Sequence, residues 1–417
     1  MDIYEWADSA VNSCPRYETG FTELLATKPY LVSPAILRQY ESRLLPMRSF
    51  QKIALDIFRA ALNNEVHPRI LHWLINETPE SLGIGYHRSL EDRHFTLPVF
   101  FRTDEARPGR IIEFSCPGAL WGELQLSFEH AVRMGYCSGD VSPADQFATQ
   151  LIDFLKGTPP IVHDYIDRTT APSCSRYFIE KTRPRIKYWA IDRGLRMSDC
   201  NFIRHRAFSE LWSDDNLHMH LDKTGKGITY DYPPYVLFDE KAPLALPFWS
   251  ITRELFTDEI RDLFPFTTPL LPTGIELQDG TQITIEEFCR WPRSRRSYYL
   301  KLAGFNTELN WGSKAVYRLS NMSSDACHNF LQQCLSGYER GQVWLLQKEE
   351  VQDDEITFFA RDGTVHTQTL RAKFSGFYGP DGCLGVIAQH RGHYKVHGQE
   401  DTVLSYVSAD TEDSLTA

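Results

Sequence analysis

Along the first eighty positions, apolar residues recur at the spacing of an α-helix. Phe50, Ile53 and Ile57 lie on one such face, and polar residues lie off it. The pair Ser33-Pro34 is typical of a helix start, because the hydroxyl can cap the first turn and proline fits within it. This pattern predicts an N-terminal helical region over residues 1–82, with its apolar face turned to the core.

The pattern changes in the segment 83–130, where short apolar runs are separated by turn residues. His94–Arg102 and Arg110–Phe114 read as two strands around a polar Pro-Gly turn, which predicts an antiparallel hairpin. Asp104 closes the first strand and Glu113 lies in the second. Their carboxylates are therefore expected to converge at the same end of the hairpin.

Helical and strand patterns alternate over residues 131–250. Helices are predicted at Gln146–Lys156 and Ser173–Thr182, and strands at Pro159–Tyr165 and Ile186–Ile191. Such alternation is typical of a small α/β lobe, which would hold a substrate.

The remaining part of the chain, over 251–405, contains the densest strand patterns. A helix is predicted at Ser324–Leu335, and strands at Val343–Gln347 and Leu384–Gln389. The acidic, small residues of 406–417 predict a flexible tail. No internal repeat or low-complexity linker separates the segments, so they are expected to pack as one body.

Composition restricts the classes of function. The chain has 417 residues, 42% of them hydrophobic, and a net charge of −11 without a long basic block. Nonspecific nucleic-acid binding is therefore not expected, since it needs clustered Lys and Arg. No apolar run reaches the length of a membrane span and no signal peptide is evident. The nine cysteines are scattered and never spaced as C-x-x-C, which favours free thiols in a reducing cytoplasm.

One stretch, Tyr298–Leu319, has the pattern of a phosphate-binding loop between two strands. Glycines allow backbone N–H groups to close on an anion, and lysine ammonium groups neutralise its charge. The candidate phosphate contacts are Lys301 on the entering strand and Gly304, Asn306, Gly312, Ser313 and Lys314 on the loop.

An adenine site is predicted downstream, in the run W-L-L-Q-K-E-E. An apolar strand ending in Gln347, Lys348 and Glu349 would offer backbone groups to the adenine edge and a carboxylate to a ribose hydroxyl. Arg371, on a strand of the following hairpin, could reach a phosphate.

Taken together, the lysine strand, loop, helix, adenine strand and Arg371 strand resemble the ATP-grasp fold. Upstream, Arg102-x-Asp104 lies nine residues ahead of Glu113-x-Ser115, and Pro117-Gly118 follows. That order is similar to R-x-D…E-x-N-x-x-P-G and resembles the circularly permuted ATP-grasp group, which includes the glutathionylspermidine synthase-like ligases. Ser115 stands where the pattern has asparagine, and the phosphate loop has only two glycines.

The resemblance implies an α+β protein in which two antiparallel β-sheet lobes clasp ATP. It implies that Asp104, Glu113 and Ser115 hold Mg²⁺ and that Arg102, Lys314 and Arg371 stabilise the charge in transit. The implied reaction is ATP-dependent ligation of a carboxylate to an amine through an acyl phosphate. The expected partners are small-molecule carboxylate and amine substrates, an amino acid or peptide-like molecule among them.

Two other interpretations stay open. The first is a catalytically silent ATP-binding protein with a regulatory or scaffolding role. The second is a metal-dependent hydrolase centred on Asp214, His218 and His220, because H-x-H on a strand places both imidazoles on one face. The run of His390, Arg391 and His393 is interpreted instead as an anion contact, since basic residues alternate with the histidines.

Overall fold

The computed structural model describes most of the chain, with gaps. The described ranges are 23–75, 83–115, 120–138, 140–164, 173–188, 194–195, 199–204, 229–231, 233–238, 240–304, 309, 314–360, 362–396 and 401–410. All structural statements below concern these residues.

Ten α-helices and eighteen strands lie in these ranges. The helices are α1 Pro34–Ser42, α2 Leu44–Leu62, α3 Pro68–Ile75, α4 Ile84–Ser89, α5 Trp121–Arg133, α6 Pro143–Phe154, α7 Ser173–Thr182, α8 Asp258–Arg261, α9 Ile285–Arg290 and α10 Ser324–Leu335. The strands are β1 Leu24–Ala26, β2 Tyr30–Val32, β3 Phe101–Arg107, β4 Arg110–Ser115, β5 Ile161–Asp164, β6 Lys187–Tyr188, β7 Phe202–Arg204, β8 Thr229–Tyr230, β9 Thr267–Leu270, β10 Ile275–Glu276, β11 Gln282–Ile283, β12 Tyr298–Leu302, β13 Val316–Arg318, β14 Trp344–Lys348, β15 Asp353–Phe359, β16 Val365–Tyr378, β17 Cys383–Arg391 and β18 Val403–Ala409.

The largest sheet contains eight strands and is partly closed. Its order is β15-β1-β18-β17-β16-β3-β4, with β2 paired to β18 and β15 also paired to β16. Five strands therefore form a small barrel-like ring. The 14-residue β16 makes this possible, because its first half pairs with β15 and its second half with β3. The β3–β4 hairpin lies outside this ring and is attached to it through the pairing of β3 with β16.

The hairpin is present, but its first strand is displaced from the predicted position. That strand was expected at His94–Arg102, whereas β3 starts at Phe101 and runs through Asp104 to Arg107. The apolar residues Phe95 and Leu97 lie outside any strand and pack against a core that helices and the large sheet share. A pattern of apolar residues cannot separate burial in a strand from burial in a connecting segment.

A second, four-stranded sheet has the order β13-β12-β14-β9, and all its pairings are antiparallel. Helices α9 and α10 cover one of its faces, where Phe288, Leu300, Leu331 and Leu346 share a core. The opposite face is thereby left to look toward the large sheet.

The third sheet belongs to the α/β alternation. Strands β6-β5-β7-β8 are parallel, and helices α6 and α7 pack beside them through Phe147 and Phe178. The mixed α+β class follows from these three sheets and their helices. None of the helices in the described ranges is long and apolar enough to cross a membrane.

The chain termini differ from the sequence prediction. The region 1–82 was expected to be helical, but β1 and β2 lie in it and join the large sheet. The flexible tail was expected from residue 406, but β18 runs to Ala409 between β1 and β17. Short strands of this kind gain their stability from their neighbours rather than from a local pattern. Residues 411–417 lie outside the described ranges.

A buried ion pair joins the N-terminal helices to the large sheet. The Arg43 guanidinium donates to Glu105 Oε2 at 3.1 Å and to Oε1 at 2.9 Å, and to the Tyr378 hydroxyl at 3.2 Å. Glu105 also accepts from Thr103 Oγ1 and from the backbone N–H of Gly109. The carboxylate is thus fully compensated, which a buried charge requires.

Removing one member of this pair is predicted to be strongly destabilising. Arg43→Met or Glu105→Gln should each lower the free energy of unfolding by about 3–5 kcal/mol, because a buried group is left without its counter-charge. The double variant should be less impaired than the two single effects added together. Urea unfolding measures all three.

The matched control is Arg290→Met, because Arg290 pairs with Glu286 on an exposed helix face. Its effect should stay below about 0.5 kcal/mol. Single variants at Arg43 and Glu105 that behave like this control would contradict the assigned role.

Candidate active site

One buried ammonium group joins the antiparallel four-stranded sheet to the antiparallel β3–β4 hairpin of the large sheet, whose pairings are otherwise mixed. Lys301, on β12, donates from Nζ to Gln347 Oε1 at 2.7 Å and to the backbone oxygen of Ile112 on β4 at 3.3 Å. The contact spans 189 residues of sequence. The lysine predicted from the phosphate-loop stretch therefore lies beside the hairpin predicted to carry the metal ligands.

Gln347 holds this lysine in place. Lys301 faces Leu345 across the β12–β14 pair, so Gln347, two residues along, is its diagonal neighbour on the same face. The amide of Gln347 also donates to Thr267 Oγ1 at 3.2 Å. Gln347, which was predicted to contact adenine, thus accepts a hydrogen bond from Lys301.

Burial, assisted by the charges of Lys241 and Lys373, lowers the pKa of Lys301 to about 8. The carboxylates of Glu113 and Asp104 act in the opposite direction. The group is therefore still mostly charged at neutral pH, although most of its hydration has been removed.

Asp104 is held by donors on every side. It accepts from Arg102 Nε at 3.0 Å, from Lys373 Nζ at 3.0 Å and from Ser375 Oγ at 2.8 Å. Burial would raise the pKa of Asp104, but Arg102, Lys373 and the Ser375 hydrogen bond together hold it well below the usual range. Lys373 and Ser375 were not predicted from the sequence.

Glu113 lies directly across the hairpin from Asp104, as the predicted convergence requires. Its Oε1 is 3.2 Å from Lys241 Nζ. The backbone N–H of Lys241 donates to the oxygen of Ala303, the residue that follows β12. The end of the small sheet therefore positions this lysine, which was also missed in the sequence.

The cluster carries an excess of positive charge. Four basic side chains, Arg102, Lys241, Lys301 and Lys373, surround the two carboxylates. An excess of two positive charges in a largely buried cleft favours a polyanionic ligand.

The two carboxylates were also tested as a Mg²⁺ site. Carboxylate oxygens are ligands that Mg²⁺ prefers, and the ion commonly completes its shell with water and phosphate oxygens. Among the described residues, no group of three or more His, Cys, Asp or Glu side chains is placed to hold a metal ion. The side chain of Ser115 lies outside the described part of the chain. The pair therefore suits an ion that arrives with a phosphate ligand better than a free ion.

A second polar cluster lies at the end of β14. Glu349 accepts from Ser297 Oγ at 2.7 Å and from the Tyr299 hydroxyl at 3.1 Å, and its Oε1 is 2.8 Å from Arg318 Nε. Arg371 approaches the same oxygen at 3.9 Å. The carboxylate is thus engaged with protein donors, and a ribose hydroxyl would have to compete with them.

Of the other predicted adenine and phosphate contacts, some already hydrogen-bond within the protein and one is exposed. The backbone N–H of Lys348 donates to Phe266, and that of Glu349 donates to Ser297, so both are used within the sheet. Arg371 donates from Nε to Asp353 Oδ1 at 2.5 Å. The Lys348 side chain is exposed.

Within the phosphate loop the structure describes Gly304, Leu309 and Lys314. Gly304 follows β12, and Lys314 is exposed just before β13. The predicted contacts outside the described residues are Asn306, Gly312 and Ser313, and the same holds for the Asp214, His218 and His220 run.

The histidine-rich segment divides between two environments. His390 is fully buried, with Nε2 3.7 Å from Asp354 Oδ2. Arg391 pairs with Asp401. The ring of Tyr394 lies parallel to that of Tyr299, with centroids 6.2 Å apart. The alternation of basic residues and histidines in the sequence therefore did not show that His390 is buried inside the large sheet, whereas Tyr394 lies beside Tyr299.

Comparison with known proteins finds similarity in structure but not in sequence. No protein-family model matches the chain, and no curated protein matches it. Among solved structures, the apo form of GSS30 from Globodera pallida, a glutathione synthetase-like effector, aligns with a TM-score of 0.55. The overall fold is similar to that of this effector. The alignment covers 97% of this chain and 96% of GSS30, at 12% identity. Similarity to GSS30 at this identity concerns the fold, since function depends on particular side chains.

The buried Lys301 is predicted to make stability depend on pH. Its folded-state pKa lies below the ordinary lysine value of 10.5, so the unfolded chain binds more protons between pH 8 and pH 10.5. Stability relative to Lys301→Met should therefore rise across that window, by up to about 3 kcal/mol. Urea unfolding of both proteins at pH 7 and pH 10.5 measures the difference.

Taking the difference between the two proteins removes the effects of tyrosines that titrate in both. A difference that stays constant, or that falls as the pH rises, would contradict the charged and desolvated state assigned to Lys301.

Proposed function

We propose that this chain is a circularly permuted ATP-grasp ligase, which uses ATP to join a carboxylate to an amine. The observation that carries the proposal is the contact of Lys301 with the backbone of the Asp104–Glu113 hairpin. A lysine of the predicted phosphate-binding stretch and the predicted metal carboxylates meet between the four-stranded antiparallel sheet and the large mixed sheet. The fold similarity to a glutathione synthetase-like effector supports the same interpretation.

The nucleotide phosphates are assigned to the cleft between these sheets. Arg102 and Lys301 would stabilise the charge on the transferred phosphoryl group, and Gln347 would keep the Lys301 ammonium oriented. Asp104, Glu113 and Ser115 would hold Mg²⁺, which would neutralise negative charge on the phosphates when the nucleotide is bound.

The adenosine end is assigned to the cluster around Tyr299 and Glu349. Glu349 organises Arg318 and Arg371, which present guanidinium groups at the mouth of the cleft. The aromatic rings of Tyr299 and Tyr394 supply flat apolar surface near them. In this proposal Lys314, which lies just before β13, adds its positive charge to those that bind the phosphates.

The reaction is an acyl-phosphate ligation in two steps. A carboxylate oxygen of the acid attacks the γ-phosphorus, the bond to the β-γ bridging oxygen breaks, and ADP leaves. The amine then attacks the acyl carbon, phosphate leaves, and the amine loses a proton. Exclusion of water by a closed cleft would protect the acyl phosphate from hydrolysis. The substrate class is an amino acid or a small peptide-like acid.

A second candidate is a nucleotide-binding protein without ligase activity. The observation that favours it is the pairing of each metal carboxylate with a lysine, Asp104 with Lys373 and Glu113 with Lys241. Such a protein would bind nucleotide and produce no ADP with any acid and amine.

A screen for ADP release separates the two candidates. Purified protein with ATP and Mg²⁺ is tested against amino acids, thiol peptides and polyamines, and products are identified by mass spectrometry. Stoichiometric ADP and amide are expected for one pair of substrates. Lys301→Met and Glu113→Gln should each lower turnover by at least about a hundredfold, since each removes a group that acts on the transferred phosphate.

The matched control is Lys52→Gln, because Lys52 is exposed on α2 and is not among the cleft residues. It should retain full turnover. ATP binding with no ADP from any pair would favour the silent protein, whereas turnover that survives Glu113→Gln would contradict the site. Thermal shifts with zinc in place of ATP and Mg²⁺ test the hydrolase alternative.

A further inference from the structure

The metal carboxylates and the nearby lysines form an arrangement that the ligase proposal does not by itself require. Lys373 Nζ lies 3.0 Å from Asp104 Oδ2, and Lys241 Nζ lies 3.2 Å from Glu113 Oε1. Each ammonium thus occupies part of the coordination space that a metal ion would use.

Asp104 is closed to a free cation on two grounds. Its oxygens already accept from Arg102, Lys373 and Ser375, so a metal ion must displace a donor. A cation that enters must also approach the positive charges of Arg102 and Lys373 at short range, where repulsion is strong in a desolvated site.

A buried amide lies across the sheet from Lys373. Gln389 faces Lys373 directly across the β16–β17 pair, so both side chains lie on the cleft face. Gln389 is fully buried, and within the described structure neither its amide oxygen nor its amide nitrogen has a hydrogen-bond partner. Such a group is costly to leave unsatisfied. It offers Lys373 an acceptor if that lysine leaves Asp104.

We infer that Lys373 and Lys241 act as exchangeable counter-ions, which exclude a metal ion from Asp104 and Glu113 until nucleotide phosphates bind. The phosphates then accept the ammonium groups, and the released carboxylates take the ion that accompanies the nucleotide. Metal and nucleotide therefore enter together, and neither lysine needs to leave the cleft. This inference rests on the proposed nucleotide site.

Mn²⁺ binding to the nucleotide-free protein tests the inference without any turnover. The probe is the EPR signal of free Mn²⁺, titrated with wild-type protein and with the double variant Lys241→Gln/Lys373→Gln. Wild type should leave micromolar Mn²⁺ free, whereas the double variant should bind it at least about tenfold more tightly, because two nearby positive charges are gone. With a non-hydrolysable ATP analogue present, the wild type should bind Mn²⁺ tightly, lowering the free-ion signal below the level that the analogue alone produces.

Three comparisons keep the result decisive. Lys52→Gln, which removes a distant exposed charge, should behave like wild type. Lys241→Gln by itself should show a smaller gain and serves if the double variant fails to fold by circular dichroism. Wild type that binds Mn²⁺ as tightly as the variants, or folded variants with no gain, would overturn the inference. Failure only in the nucleotide arm would count against the proposed ligase site and leave the counter-ion role standing.

Discussion

The buried ammonium of Lys301 is the constraint on which the cleft depends. A charge removed from water must be given hydrogen-bond partners, and the partners of Lys301 come from both sheets: Gln347 on β14 and the backbone of Ile112 on β4. If the small sheet moved away from the hairpin, the Lys301 ammonium would lose a hydrogen-bond partner or become exposed to water. Lys301 thus fixes the distance between the two layers while keeping a positive charge inside the cleft.

Strand register brings the remaining charges to the same place. Asp104 faces Glu113 on one side and Ser375 on the other, and Lys373, two residues along β16 from Ser375, faces Gln389. Because side chains alternate between the faces of a sheet, this register places all five on the face that looks toward Lys301. The long strand β16 contributes two of them, and its second half pairs with both β3 and β17. The polar cleft is therefore a consequence of pairing rather than of any local motif.

The sequence predicts local features of this protein better than its pairings. Turn residues located the hairpin of Asp104 and Glu113, and a lysine before a glycine located Lys301. Lys373 and Lys241 carried no local signal, because their importance comes from partners 269 and 128 residues away in sequence. β18 was missed for a related reason. A short strand at an acidic chain end is stabilised by the strands on either side of it, and composition does not record those neighbours.

Two adjacent carboxylates on β3 show how the cleft and the scaffold are connected. Asp104 points into the cleft toward Arg102 and Lys373, while Glu105 points to the opposite face, where Arg43 binds it. β3 cannot slip by one residue, because a slip would exchange the faces of Asp104 and Glu105. Arg102 and Lys373 on one face, and Arg43 on the other, would then lose their partners. The scaffold pair therefore specifies the register that the cleft requires. A protein that only needed a stable hairpin could fill both positions with apolar residues at less cost. The presence of two oppositely directed buried ion pairs therefore favours a strand whose position matters for the chemistry of the cleft.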